Sequence, residues 1–283
     1  MWQLMLGAVM ISFSAVFVRL VSVPPSVSAF YRMLFGGGIL LVFMLLKREP
    51  IKISARAFLI LSLAAFFFAL DLVLWHRSIL YLGPGVATLL PNFQVFILAG
   101  AGVLFFKEHL SWLQWLAIGF AMLGLALLVG TGWSHLPPSY HLGVILGLAT
   151  ACAYAGYILT LRKLQATGEA GSTYSTITVV SLVTALIIAA VVGTEGESFA
   201  IPNWSDAGWL FLYGLVPQVL GWVMISNAMP RVGTAQVGLV LLLQPAFAFI
   251  WDGVFFGRRF SAPEMAGAVL ALVSIYMGSL KRT

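Results

Sequence analysis

Asp71, Trp75, His76 and Arg77 crowd a stretch that otherwise reads as hydrocarbon, FFFALDLVLWHR. A carboxylate at that depth can bind an ammonium group or carry a proton. An indole one turn further on can stack against a flat ligand, and an imidazole titrates near neutral pH. The competing reading is structural: Asp71 pairs with Arg19, Arg32 or Arg77 and fixes helix packing, and His76 is a hydrogen-bonded packing residue. Arg32 raises the same question inside SAFYRMLFGGGILLVFMLL. It lies about 9 Å from the end of its apolar run by helical rise, so its head can snorkel to an interface. The reading adopted is that Arg32 faces other helices, where it pairs with Asp71 or attracts a carboxylate.

Prolines mark a second kind of polar site. Pro91, Pro217 and Pro245 fall inside apolar runs and lack a backbone donor, which weakens the bonds to the carbonyls of Ala87, Tyr213 and Leu241. In lipid such carbonyls find partners or line a cavity. Asn92, Gln94, Gln218 and Gln244 lie beside these prolines and read as cavity-lining amides, with local repair of the broken ladder as the alternative. Trp75, Tyr157 and Trp222 are deep enough to stack on a substrate, and Tyr154 lies on the helix of Tyr157. Trp112, Trp115, Trp133, Trp204 and Trp209 fall near the ends of apolar runs and read as interfacial belt residues. The candidate binding set is therefore Asp71, Trp75, His76, Asn92, Gln94, Tyr157, Gln218, Trp222 and Gln244. Arg32, Pro91, Pro217 and Pro245 take structural or gating roles. His76, His109, His135 and His141 lack ligand spacing, so no metal site is expected, and no cofactor or catalytic residue.

The elements that position these groups follow from composition. Apolar residues make up 61% of the chain, charged residues 8%, and mean hydropathy is +1.03. A soluble domain carries roughly 25% charge; this chain cannot cover itself with polar surface, so lipid is its solvent. The formal net charge of +6 is then a matter of which loops carry it, and nucleic acid is not an expected partner. The lone Cys152 excludes an internal disulfide; among small neighbours it reads as packing. The run from Met1 to about Val23 reads as a first helix, because it has no basic leader region or cleavage site.

A spanning helix needs about 20 mostly apolar residues. Polar punctuation such as VPPS, KREPIKISAR and TEGESFAIPNWSD divides the chain into ten spans near 3–22, 27–46, 56–80, 84–106, 111–131, 141–161, 173–193, 207–229, 234–255 and 262–280. Each loop is too short for a soluble domain, and barrel strands of about 10 alternating residues are absent from the pattern. Lys47, Arg48, Lys52, Arg56, Lys107, Arg162, Lys163, Arg231, Lys281 and Arg282 fall on one side of this zigzag. Only the loop with Arg258 and Arg259 is basic on the other. Basic loops stay in the cytoplasm, which puts both termini there.

The chain also resembles itself about 150 residues apart. YLGPGVATLLPNFQVFILAGAGVLFFKEHLS aligns with RVGTAQVGLVLLLQPAFAFIWDGVFFGRRFS, Gly83 meeting Gly233, Gln94 meeting Gln244 and Ser111 meeting Ser261. Five spans per half, an odd number, make the two copies inverted, the arrangement in which many secondary transporters build a midplane site. The fold expected is an all-α integral membrane protein: ten transmembrane helices as two inverted five-helix repeats, 1–135 and 136–283, around a central cavity.

That repeat, with Lys107 and Glu108 after the fourth span and glycines in FFKEHLSWLQWLAIGFAMLGLALL, resembles the EamA repeat of the drug/metabolite transporter superfamily. Within it the chain looks most like the bacterial aromatic-amino-acid exporters. Arg258 stands where the repeat usually has an acid such as Glu108, and Pro91 falls four residues before the point equivalent to Pro245. A gate built on that acid is expected to be asymmetric. The resemblance implies a carrier in the inner membrane of a bacterium that exports amino acids or similar small metabolites. Oligomeric state is left open, a monomer being compatible with the reading. The same superfamily includes carriers of nucleotide sugars and organic cations; a nucleotide sugar calls for several bases in the cytoplasmic half of the cavity, and few are present. An intramembrane enzyme is the rival from another class, but no HExxH, acid-rich metal motif or Ser–His pairing in a Gly-rich context occurs.

Overall fold

The computed structural model describes residues 2–49, 53–94, 96–98, 100–101, 112–129, 133–167, 171–228 and 243–279. These residues form helices and short turns, with no strand among them. This is what lipid demands, since a helix satisfies its own backbone. Among the described residues six helices are long and apolar enough to cross a membrane: α1 (Trp2–Leu20), α2 (Pro25–Lys47), α3 (Ala55–Leu82), α6 (Pro138–Ala166, apolar over Pro138–Leu161), α7 (Thr173–Glu195) and α8, whose apolar span is Trp204–Ile225. Shorter helices complete the set: α4 (Pro84–Leu89), α5 (Trp112–Val129), α9 (Leu243–Phe256) and α10 (Ala262–Ser279). Every span read from the sequence therefore has a helix over its described part. The beginning of the ninth, the end of the fourth and the Lys107–Glu108 pair lie outside the described residues.

Local chemistry sets the ends. Pro25 opens α2, where its missing N–H costs nothing. Ser54, Ser172 and Asn203 cap α3, α7 and α8 by accepting from the N–H of Ala57, Ser175 and Asp206. Gly83 and Gly196 leave α3 and α7 at φ 83° and 68°, a region glycine enters without strain.

Among the described residues α1 is interrupted at Phe13, and two further helices are broken at prolines named above. Beyond α4 the chain tightens into a 3-10 turn, Leu90–Phe93, holding Pro91. Within α8, Trp204–Tyr213 widens into a π-helical stretch, Gly214–Gly221, around Pro217 before resuming as Trp222–Ala228. That wide stretch sits between α1 and α2. A Cβ on Gly214 would come 2.9 Å from the N of Gly36, and one on Gly7 would come 2.9 Å from the carbonyl of Gly221. Small residues thus let three backbones approach closely.

Helix α3 packs along α6, α2 along α7, and α5 along α10, while α4 lies against α9. One apolar core joins α1, α3, α4 and α6 through Phe17, Ile79, Leu89 and Ala151; another joins α2, α3 and α7 through Met33, Leu72 and Ile188. Leu59, Leu186 and Val254 point outward and are exposed, as a lipid-facing surface requires. Trp112, Trp115 and Trp204 are also exposed, in keeping with a belt, and the Trp133 side chain lies outside the described residues. Trp209 departs from that reading: it packs inward, its ring 6.2 Å from Phe17. Cys152 departs too, being exposed, because its small neighbours Ala151 and Ala153 take the buried positions on α6.

Candidate functional site

A cavity of about 160 Å³ opens where α1, α2, α3, α4, α6, α8 and α9 meet. Its wall carries two ionisable side chains, Arg32 and Asp71, and four aromatic rings, Phe68, Trp75, Tyr154 and Trp222. Amides come from Asn92, Gln94 and Gln244, hydroxyls from Ser14 and Thr88, and rigid backbone from Pro91 and Pro245. Most of the candidate residues thus converge here from helices far apart in sequence. His76, Tyr157, Gln218 and Pro217 do not line the cavity.

Arg32 faces the bundle, being 5% exposed, and the snorkelling alternative is not the one the fold adopts. Asp71 is 8% exposed. No ion pair joins the two among the described residues. Arg77, the other base near Asp71 in sequence, reaches away to Glu195, and Arg19 lies over the ring of Phe256, 5.3 Å from its centroid. The structural reading of Asp71 as an ion-pair partner is therefore replaced by a carboxylate on a cavity wall. Ionisable groups at membrane depth are costly, and these two are placed near each other without an ion pair between them.

Behind Arg32 runs a chain of polar side chains. Its Nε donates to Gln218 Oε1 at 3.2 Å and an Nη donates to Tyr213 Oη at 3.2 Å. Gln218 Nε2 donates to Ser181 Oγ at 3.1 Å. Tyr213 Oη is 3.0 Å from His76 Nε2, and His76 Nδ1 is 2.7 Å from the Leu72 carbonyl. A carbonyl can only accept, so Nδ1 carries the hydrogen; Nε2 of the neutral ring then accepts from the Tyr213 hydroxyl. The hydroxyl oxygen is left free to accept from Arg32. His76 is thus hydrogen-bonded through both ring nitrogens behind Arg32, as its packing reading requires.

The amides divide. Asn92 lines the cavity but donates to the carbonyls of Thr88, at 2.8 Å, and Leu89, at 3.4 Å. It is therefore engaged with the backbone next to Pro91, on carbonyls other than the Ala87 carbonyl that the proline leaves. Gln94 Oε1, Ser14 Oγ and Thr88 Oγ1 are buried with no hydrogen-bond partner among the described residues. Tyr157 stacks behind the wall on Phe68, centroids 4.8 Å apart, and on Tyr154 at 5.9 Å. Tyr154, not Tyr157, forms the surface.

The sequence matches the EamA-like transporter family over residues 1–130 and 141–280. The chain belongs to that family. Among curated relatives it is 24% identical to YdfC of Bacillus subtilis, an uncharacterized transporter, across 99% of this chain and 90% of that one. An uncharacterized transporter of Haemophilus influenzae is 23% identical across 83% of this chain and 77% of its own. One solved crystal structure shares the fold with a TM-score of 0.67, covering 96% of this chain and 94% of the other at 16% identity. This EamA-like transporter is thus a multi-pass membrane protein, and both relatives are designated transporters.

Sequence reasoning missed Tyr213, Ser181, Ser14 and Thr88. Tyr213 had one signal, since Pro217 lies four residues after it. The hydroxyl residues had none, because Ser and Thr are common in spans with no role beyond bonding their own helix.

Proposed function

We propose that this EamA-like transporter exports amino acids, aromatic ones among them, and related small amphipathic metabolites across the cytoplasmic membrane of a bacterium. Ten spans in two inverted repeats, with both termini in the cytoplasm, would carry out alternating access around the cavity. The observation that carries the reading is the juxtaposition of Arg32 and Asp71 on one cavity wall, unpaired with each other and flanked by Trp75 and Trp222. A zwitterion with an apolar side chain supplies a partner for each feature. The broken segments at Pro91 and Pro217 support a moving carrier over a static pore, since π and 3-10 stretches are frequent hinges.

An organic cation would satisfy Asp71 and the rings but face the Arg32 charge. A nucleotide sugar would need more bases than the one arginine on this wall. The test is uptake into proteoliposomes with a panel of amino acids, an organic cation and a nucleotide sugar, with and without an imposed pH gradient. Saturable movement of amino acids supports the reading; movement of only the other two classes rejects it. Dependence on the gradient decides proton coupling.

A further inference from the structure

The polar chain behind Arg32 has a consequence for what the cavity selects, resting on the amino-acid reading above. Among the described residues, the two side-chain hydrogen bonds of Arg32 go to neutral acceptors, Gln218 Oε1 and Tyr213 Oη. Its guanidinium carbon also lies 5.1 Å from the Tyr213 ring centroid. Gln218 is itself held by Ser181, and Tyr213 by His76. Helices α2, α3, α7 and α8 thus fix one guanidinium through side chains that orient it without neutralising it. A guanidinium has five N–H donors in a planar fork, so most of the fork is left over. The residue borders the cavity, where the nearby Asp71 is not its ion-pair partner.

We infer that Arg32 is the receptor for the substrate carboxylate, and that Tyr213 and Gln218 are its positioning residues, with His76 fixing Tyr213. Planar bidentate recognition of a carboxylate is what an oriented arginine does best. An acceptor pair of neutral groups is the device that aims it while leaving its charge unspent; a glutamate in place of Gln218 would offset part of that charge. The carrier therefore discriminates by the acid end of its substrate. An amine or amide of the same shape, with the same ammonium group and side chain, is a poor ligand.

The test is equilibrium binding of labelled tryptophan to the purified full-length protein in detergent, competed by tryptophan and by tryptophanamide, which replaces the carboxylate by a neutral amide of similar shape. The wild type should prefer tryptophan by about tenfold or more, the size expected for a charge-assisted bidentate contact. Arg32→Gln should bring that ratio close to one. Tyr213→Phe and Gln218→Glu should each lower it part of the way, the latter although it keeps an acceptor opposite Arg32 Nε. A merely structural role would weaken both ligands together and leave the ratio unchanged. A wild-type ratio near one, no binding of either ligand, or parallel losses in Gln218→Glu overturns the inference, whether or not Arg32→Gln folds. The export reading fails separately: a protein that shows the ratio but moves no amino acid in liposomes keeps its carboxylate receptor and loses its transport role.

Discussion

Arg258 folds back over the end of α9 onto Asp252, an Nη lying 3.3 Å from Asp252 Oδ2. The same carboxylate oxygen accepts from the Gly85 N–H at 3.1 Å. Arg258 also reaches Glu264 Oε1 at 3.2 Å and the Leu82 carbonyl. One arginine therefore ties the ends of α3 and α9 to the beginning of α10, and its acid partner ties in the beginning of α4. In the repeat alignment Asp252 falls opposite Gly102 and Arg258 opposite Glu108, so the other half does not carry this pairing in its sequence. Arg258→Ala leaves Asp252, only 2% exposed, without its base. It should cost about 2–3 kcal/mol, seen as a lower unfolding temperature in detergent. Asp252→Asn should cost less, because an amide oxygen still accepts from Gly85.

Gly83 stands against that cluster. A Cβ there would lie 2.8 Å from Asp252 Oδ2 and 2.9 Å from an Nη of Arg258, at a backbone φ of +83°. Gly83→Ala should therefore destabilise by about 1–3 kcal/mol, whereas Gly38→Ala, with nothing within 4 Å, should be neutral or stabilising. Parallel thermal unfolding of the two variants measures the difference.

Asp71 pairs with no arginine among the described residues, so its removal uncovers no buried base. Asp71→Asn should fold with normal yield and lose transport of ammonium-bearing substrates. A poorly folding variant would return Asp71 to a structural role; the measurements are size-exclusion yield and uptake.

Trp222 and Gln244 share the cavity wall but serve different parts of a substrate. Trp222→Ala should impair tryptophan more than threonine, since a ring pair is worth about 0.5–1.5 kcal/mol beyond burial. Gln244→Ala should impair tryptophan, methionine and threonine alike, because an amide can meet only the groups they share. Competition among the three in liposomes reads both. Equal losses in the Trp222 variant would show that the ring shapes the fold or a gate.

Charge asymmetry in the loops predicts both termini in the cytoplasm and the 194–206 loop outside. Reporter fusions after Thr283 and within that loop should report opposite sides. Signals from the same side would overturn the ten-span topology.

What the sequence by itself determined was the set of helices. Lipid leaves a spanning backbone no partner but itself, so apolar runs become helices wherever they are long enough. Pro91 and Pro217 broke theirs where the missing donors required it. The candidate wall was also partly legible, because a polar group in such a run is costly and stands out: Asp71, Gln94 and Gln244 were found that way. What only the tertiary structure decided was which way each of these groups faces. In a soluble helix an apolar stripe marks the inner face; in lipid both faces are apolar, and the azimuth of a side chain is not written in the pattern. Hence the sequence could not separate Tyr154 on the wall from Tyr157 behind it, or Gln218 behind Arg32 from Gln244 in the cavity. It left Arg32 and Asp71 free to pair, and the packing of α2, α3 and α8 holds them apart, with Tyr213 and Gln218 taking the bonds of Arg32 that Asp71 does not.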